Sequence, residues 1–156
     1  MSNGHSYDPE IDDTSVSSAW AVLRIYSGTI SSKEITDRLG VTPTEVVTKG
    51  VCPRLNSPPA EKHAWLLSSE ELVSVRDARA HLDAILDPLM GAKDELIELT
   101  ALPDVKASVQ LYWWALEGSS PVFWPEQMAK LAELGLEFTI QFVQVDPDDK
   151  KARYDA

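Results

Sequence analysis

Through residues 105–115 the chain alternates: Val105, Ala107, Val109, Leu111, Trp113 and Ala115 are apolar, and Lys106, Ser108, Gln110, Tyr112 and Trp114 lie between them. A period of two belongs to a β-strand, whose successive side chains point to opposite faces. An amphipathic helix, repeating every 3.6 residues, cannot carry this pattern. One face of the strand needs an apolar cover, while the other mixes aromatic and polar groups. A sheet with helices on one face only satisfies both demands. The rest of the chain must supply the neighbouring strands and the cover.

Residues 19–28 are β-rich and end in a Ser-Gly turn. Ser31 and Glu34 form a capping-box pattern before the apolar pair Ile35 and Leu39, with Gly40 as the stop, which predicts a short helix. Residues 44–50 read as a weak strand. Pro53, Pro58 and Pro59 make the following stretch a loop, and residues 62–68 read as a strand. From Ser74 the period changes. Val75, Ala78, Leu82, Ile85, Leu86 and Leu89 recur at helical spacing, with Pro88 and Gly91 expected to interrupt the helix. "AKDELIEL" fits a further short helix beyond that break. After the long strand, Pro125 opens a helix with Met128, Leu131 and Leu134 on one stripe and Gly135 as terminator. Residues 136–145 alternate again, with Leu136, Phe138, Ile140 and Phe142 on one face.

The expected fold is α+β: an antiparallel sheet of four to five strands with helices on one face, in the order β-α-β-β-α-β-α-β. "SSKEITDRLGVTPTEV" and "WPEQMAKLAELGLEFTI" share one cadence of cap, stripe, Leu-Gly stop and strand, as a diverged internal duplication would. Common helix-start and helix-stop chemistry explains the same cadence equally well. The length of 156 residues fits a single domain. Its expected extent is residues 18–145, flanked by mobile acidic tails at 1–17 and 146–156.

The run "EITDRLGVTPTEVVTKG", the Pro-rich loop, "HAWLLSS", a helix around "HLDAILDPL", the long strand and "MAKLAELGLEFTIQF" together resemble the bacterial domain of unknown function 4279 family. The resemblance spans residues 19–144, and the Leu-Gly-Val-Thr-Pro-Thr segment with Lys49-Gly50 behind it is its most specific part. It implies a small cytosolic α+β domain. It brings no activity and no catalytic residue.

Few residues carry a signature of chemistry. No apolar stretch approaches a membrane span, and the N-terminus has neither the basic region nor the apolar core of a signal peptide. The expected location is the cytoplasm. Cys52 is the sole cysteine, so no intramolecular disulfide or multi-cysteine metal site can form. No metalloprotease, phosphate-loop or nucleophile-elbow motif is present. His5 lies in the N-terminal tail, and His81 is expected to be exposed on the polar side of its helix. Asp146, Asp148 and Asp149 lack the turn Gly and terminal Glu of a calcium loop. No cofactor or metal is expected. Cys52 and Arg54 in the Pro-rich loop, with His63 beside it, are the one cluster that could rim a small-ligand or enzymatic pocket.

The aromatic residues point further. Strand parity places Trp20, Arg24 and Tyr26 on one face of the first strand, and Tyr112 and Trp114 on the mixed face of the long one, with Trp65 expected to join them. Trp, Tyr and Arg carry much of the binding energy at protein interfaces. The acidic and basic side chains number 25 and 14, a net charge of −11, which favours a basic partner and opposes nucleic acid. The resulting expectation is a non-enzymatic protein-binding domain, such as an immunity or antitoxin-like inhibitor of a basic toxin. A single-stranded nucleic-acid platform is disfavoured by the charge and by the lack of the usual aromatic signature. A second copy of the chain, the Pro-rich loop or the tails are the other expected covers for this face.

Overall fold

The alternating stretch at 105–115 forms the second-longest strand of a five-stranded sheet. The computed structural model describes residues 15–148. In chain order the elements are β1 (Val16–Ser27), α1 (Ser32–Leu39), β2 (Glu45–Val47), β3 (His63–Ser68), α2 (Ala78–Met90), α3 (Lys93–Thr100), β4 (Lys106–Ala115), α4 (Pro125–Glu133) and β5 (Glu137–Gln144). The strands lie in the order β2-β3-β1-β4-β5, and the fold is α+β.

β1 is the central strand and pairs antiparallel with both β3 and β4. β2 pairs antiparallel with β3, whereas β5 runs parallel to β4. The sheet is therefore mostly antiparallel rather than wholly so. The physical reason is the connection: a helix between β4 and β5 carries the chain back to the same end of the sheet, as parallel neighbours require. The short helix expected at "AKDELIEL" forms as α3, but Pro88 does not interrupt the helix before it. α2 and α3 are separate helices between β3 and β4, and α2 runs through Pro88 to Met90. Pro88 sits in the final turn and leaves the carbonyl one turn earlier without its helical N–H, but only Leu89 and Met90 follow it in the helix.

One apolar core lies between the sheet and the helices. Ala21, Leu23 and Ile25 of β1 and Val109, Leu111 and Trp113 of β4 meet Leu82, Ile85, Leu86 and Leu89 of α2, with Ile35, Leu96, Leu99, Leu131 and Leu134 completing the layer. All four helices cover this same face. Met128 departs from its expected stripe and is exposed. Gln127 is buried instead, because its side chain accepts from the Trp124 amide and donates to Asp83 across the α2–α4 contact. Lys130 holds that contact too, paired with Asp83 and Asp87. Partial burial opposes its charge, but the two carboxylates outweigh that and push the ammonium pKa up.

The two similar cadences become the same structural device. Ser31 caps α1 by accepting from the Glu34 amide, and Gly40 ends it at φ 67°. Gly135 follows α4 at φ 66°, the left-handed conformation that favours glycine. Each turn then leads into an edge strand. The topology differs, because β2 is separated from β1 by β3 whereas β5 lies directly beside β4.

Of the acidic tails, residues 1–14 and 149–156 lie outside the described residues. β1 begins at Val16, and the Ser15 carbonyl already accepts from the Leu116 amide, so ordered pairing starts before the expected boundary at 18.

Candidate functional site

Among the described residues no helix covers the second face of the sheet, and this helix-free face holds five of the six predicted binding residues. Cross-strand register sets Trp20 opposite Tyr112, Ser18 opposite Trp114, Arg24 opposite Ser108 and Tyr26 opposite Lys106. The Trp20 and Tyr112 rings stack with centroids 4.7 Å apart and planes 12° from parallel. Trp114 leans on Trp20 from the diagonal position at 6.1 Å. Such direct and diagonal pairs are the contacts that β-sheet geometry makes available.

Arg24 reaches along β4 rather than straight across it. Its guanidinium donates to Gln110 Oε1 at 2.7 Å and to the Tyr112 hydroxyl. Gln110 in turn donates to Gln141 Oε1 of β5 at 3.0 Å. The guanidinium carbon lies 5.6 Å from the Tyr112 ring centroid. Bonding to the hydroxyl holds the cation toward the ring's polar end, so hydrogen bonds rather than the π face fix Arg24. The result is an aromatic ridge of Trp20, Tyr112 and Trp114 joined to a polar chain of Arg24, Gln110 and Gln141. The sequence pattern put the two glutamines on this face, but not their bonds to Arg24. Those depend on a register that one strand's alternation does not contain.

Tyr26 stands at the far end of the face, 37% exposed and outside the ridge. Trp65 is a correction. It lies opposite Ile25, points toward the helices and is 0% exposed, and its indole donates to Thr36 Oγ1 of α1 at 3.0 Å. Its parity relative to β1 depends on the β1–β3 register, and that register sends it into the core.

The Pro-rich loop carries the remaining candidate residues. Cys52 and Arg54 are exposed, and Arg54 bonds through its own backbone to Ser57. His63 Nδ1 accepts from the Lys49 amide at 3.1 Å and so fastens the start of the loop to β3. Among the described residues, no hydrogen bond or ion pair joins Cys52 to His63. Among those residues there is also no group of three or more His, Cys, Asp or Glu side chains placed to hold a metal ion. No helix there is long and apolar enough to cross a membrane.

His81 is buried, contrary to the exposed position expected from its helical stripe. The segment between β3 and α2 folds back over this side of the helix, which a single-stripe reading cannot anticipate. Val75 O can only accept, so His81 Nε2 carries the proton and donates at 2.8 Å. Nδ1 is then the acceptor for Ser69 Oγ at 2.6 Å, while that oxygen accepts from the Ala21 amide at 2.9 Å. Burial pushes the imidazole pKa down. Despite its Ser-His composition the pair is a latch: Ser69 is fully buried, and the second imidazole nitrogen meets a carbonyl instead of a carboxylate.

Comparison with known proteins adds the family. A family model described as "Domain of unknown function (DUF4279)" matches residues 15–144. The chain belongs to that family. No curated protein and no solved structure matches it.

Proposed function

We propose that this member of the domain of unknown function 4279 family is a non-enzymatic protein-binding module whose docking surface is the helix-free face of its sheet. One observation carries the reading: Trp20, Tyr112 and Trp114 form a contiguous ridge, with Arg24 beside them, on the side opposite all four helices. Large aromatic rings flanked by a guanidinium have the composition of interface hot spots. The ridge also argues against a nucleic-acid platform. Trp20 and Tyr112 each already have one ring face taken by the other, leaving less surface for bases to stack upon.

The expected partner is a basic protein, because the net charge of −11 attracts positive surfaces and speeds their encounter. An immunity or antitoxin-like role in the cytoplasm, in which the domain masks a basic toxin, fits these needs without any reaction centre. The test is affinity capture from the native lysate with three baits: wild type, Trp20→Ala and Leu55→Ala. Supporting results are a basic protein held by wild type and by Leu55→Ala but lost from Trp20→Ala, with an on-rate that falls as salt rises. Equal retention of every captured protein by Trp20→Ala would sink the proposal.

A further inference from the structure

The two edges of the sheet are built differently. β2 closes one side with three residues, a length that gives another strand little to pair with. β5 closes the other with eight residues, and among the described residues its only strand partner is β4. Natural edge strands are commonly blunted by Lys, Pro, bulges or a covering element. β5 carries neither Lys nor Pro, and Glu137 at its start is its single charge. Ile140 and Phe142 lie on the helix side of this strand, opposite Leu111 and Trp113. They remain 44% and 45% exposed, beyond the reach of the helix layer.

We infer that β5 is a homodimerisation edge, pairing antiparallel with β5 of a second copy about a two-fold axis centred on Gln141. The sequence of the strand is self-complementary in this register. Ile140 of each copy faces Phe142 of the other, so both exposed apolar residues gain apolar cross-strand partners. On the opposite face Thr139 meets Val143, and Gln141 meets its own equivalent. The two Glu137 carboxylates fall at opposite ends of the paired strands, where they do not repel. Residues paired across an antiparallel ladder share a face, so both helix layers lie on one side of a ten-stranded sheet. Both aromatic ridges lie on the other, which makes the docking face bivalent.

Sedimentation velocity over a concentration series tests the inference on the full chain. A species of about twice the 17.3 kDa chain mass is expected. Ile140→Lys and Phe142→Lys should each return it to monomer with unchanged far-UV circular dichroism, whereas Leu55→Lys in the distant Pro-rich loop should not. As a measurement independent of those variants, Gln141→Cys in a Cys52→Ser background should form a disulfide-linked dimer on mild oxidation. A single monomeric species at every concentration overturns the inference. So does a dimer that survives both lysine substitutions, or one in which Gln141→Cys fails to cross-link.

Discussion

The rings of Trp20 and Tyr112, stacked 4.7 Å apart, tie the middle of β1 to the middle of β4 on the face opposite the four described helices. The contact joins residues distant in sequence, and it contributes to stability as well as to the proposed docking surface. Stacked aromatic pairs contribute about 0.5–1.5 kcal/mol beyond their buried area. Trp20→Ala should therefore lower stability by about 1–2 kcal/mol and weaken partner binding by about 2 kcal/mol or more, the hot-spot scale. Tyr112→Phe isolates the hydrogen bond from the stack. It keeps the stack but removes the hydroxyl that receives Arg24, a loss of about 1 kcal/mol. Urea melts and titration calorimetry on the two variants check both figures.

The His81 latch makes stability depend on pH in a defined direction. Burial lowers the folded-state pKa below the ordinary value of 6.5, so the unfolded chain binds the proton more readily. Stability from this group is complete above pH 6.5 and is lost as pH falls through the folded-state pKa. The slope is at most about 1.4 kcal/mol per pH unit. His81→Gln can still donate to Val75 and accept from Ser69 but does not titrate. Thermal melts from pH 7.5 to 5 should show a falling midpoint for wild type and a flatter profile for the variant. The Asp104 carboxyl pKa is lowered, chiefly by the Thr29 hydroxyl, with help from Ser27 and the Gly28 amide. Its contribution fades below 3.8, so it does not obscure the histidine window.

The helix stops at Gly40 and Gly135 allow a clean measurement of backbone cost. Both residues have positive φ, and a Cβ at either would meet no atom within 4 Å. Gly40→Ala and Gly135→Ala should each destabilise by about 1–2 kcal/mol through local backbone conformation alone, with no clash against the rest of the protein. Asn tolerates the left-handed region better, so Gly40→Asn should cost less than Gly40→Ala. Chemical denaturation of the three variants gives the comparison.

What could be read from the sequence follows from how local each signal is. The faces of β1 and β4 were legible because alternation needs only neighbouring residues, and it placed Trp20, Arg24, Tyr26, Tyr112 and Trp114 on one side together. Trp65 was misplaced because its face depends on pairing with Ile25, a long-range register with no local signature. His81 was misread for a related reason: its cover is a loop, not a helix or strand with a period of its own. The parallel direction of β5 departs from the expected antiparallel sheet, although a helix between β4 and β5 is the connection that parallel neighbours need. The apolar face of β5 was read correctly, but its exposure depends on how far the helix layer extends, which the pattern does not encode.

Trp113 and Trp114 provide the sharpest test of the sheet's two sides. They are adjacent in β4, yet Trp113 is 2% exposed in the core and Trp114 lies half-buried on the helix-free face. Neither indole N–H has a hydrogen-bond partner among the described residues, so an alanine at either site forfeits packing and no polar contact. Trp113→Ala empties a large site under the helices and should destabilise by about 3–5 kcal/mol. Trp114→Ala removes a ring that touches Trp20 at one edge of the ridge, and its cost should stay near about 1 kcal/mol, the scale of one aromatic contact. Binding should respond in the opposite order. Trp114→Ala weakens partner capture while the protein stays folded, and Trp113→Ala spares the docking face wherever folding is retained. Paired thermal melts decide the first half. Equal large losses at both positions would mean that the ridge is core, and the docking surface would be withdrawn.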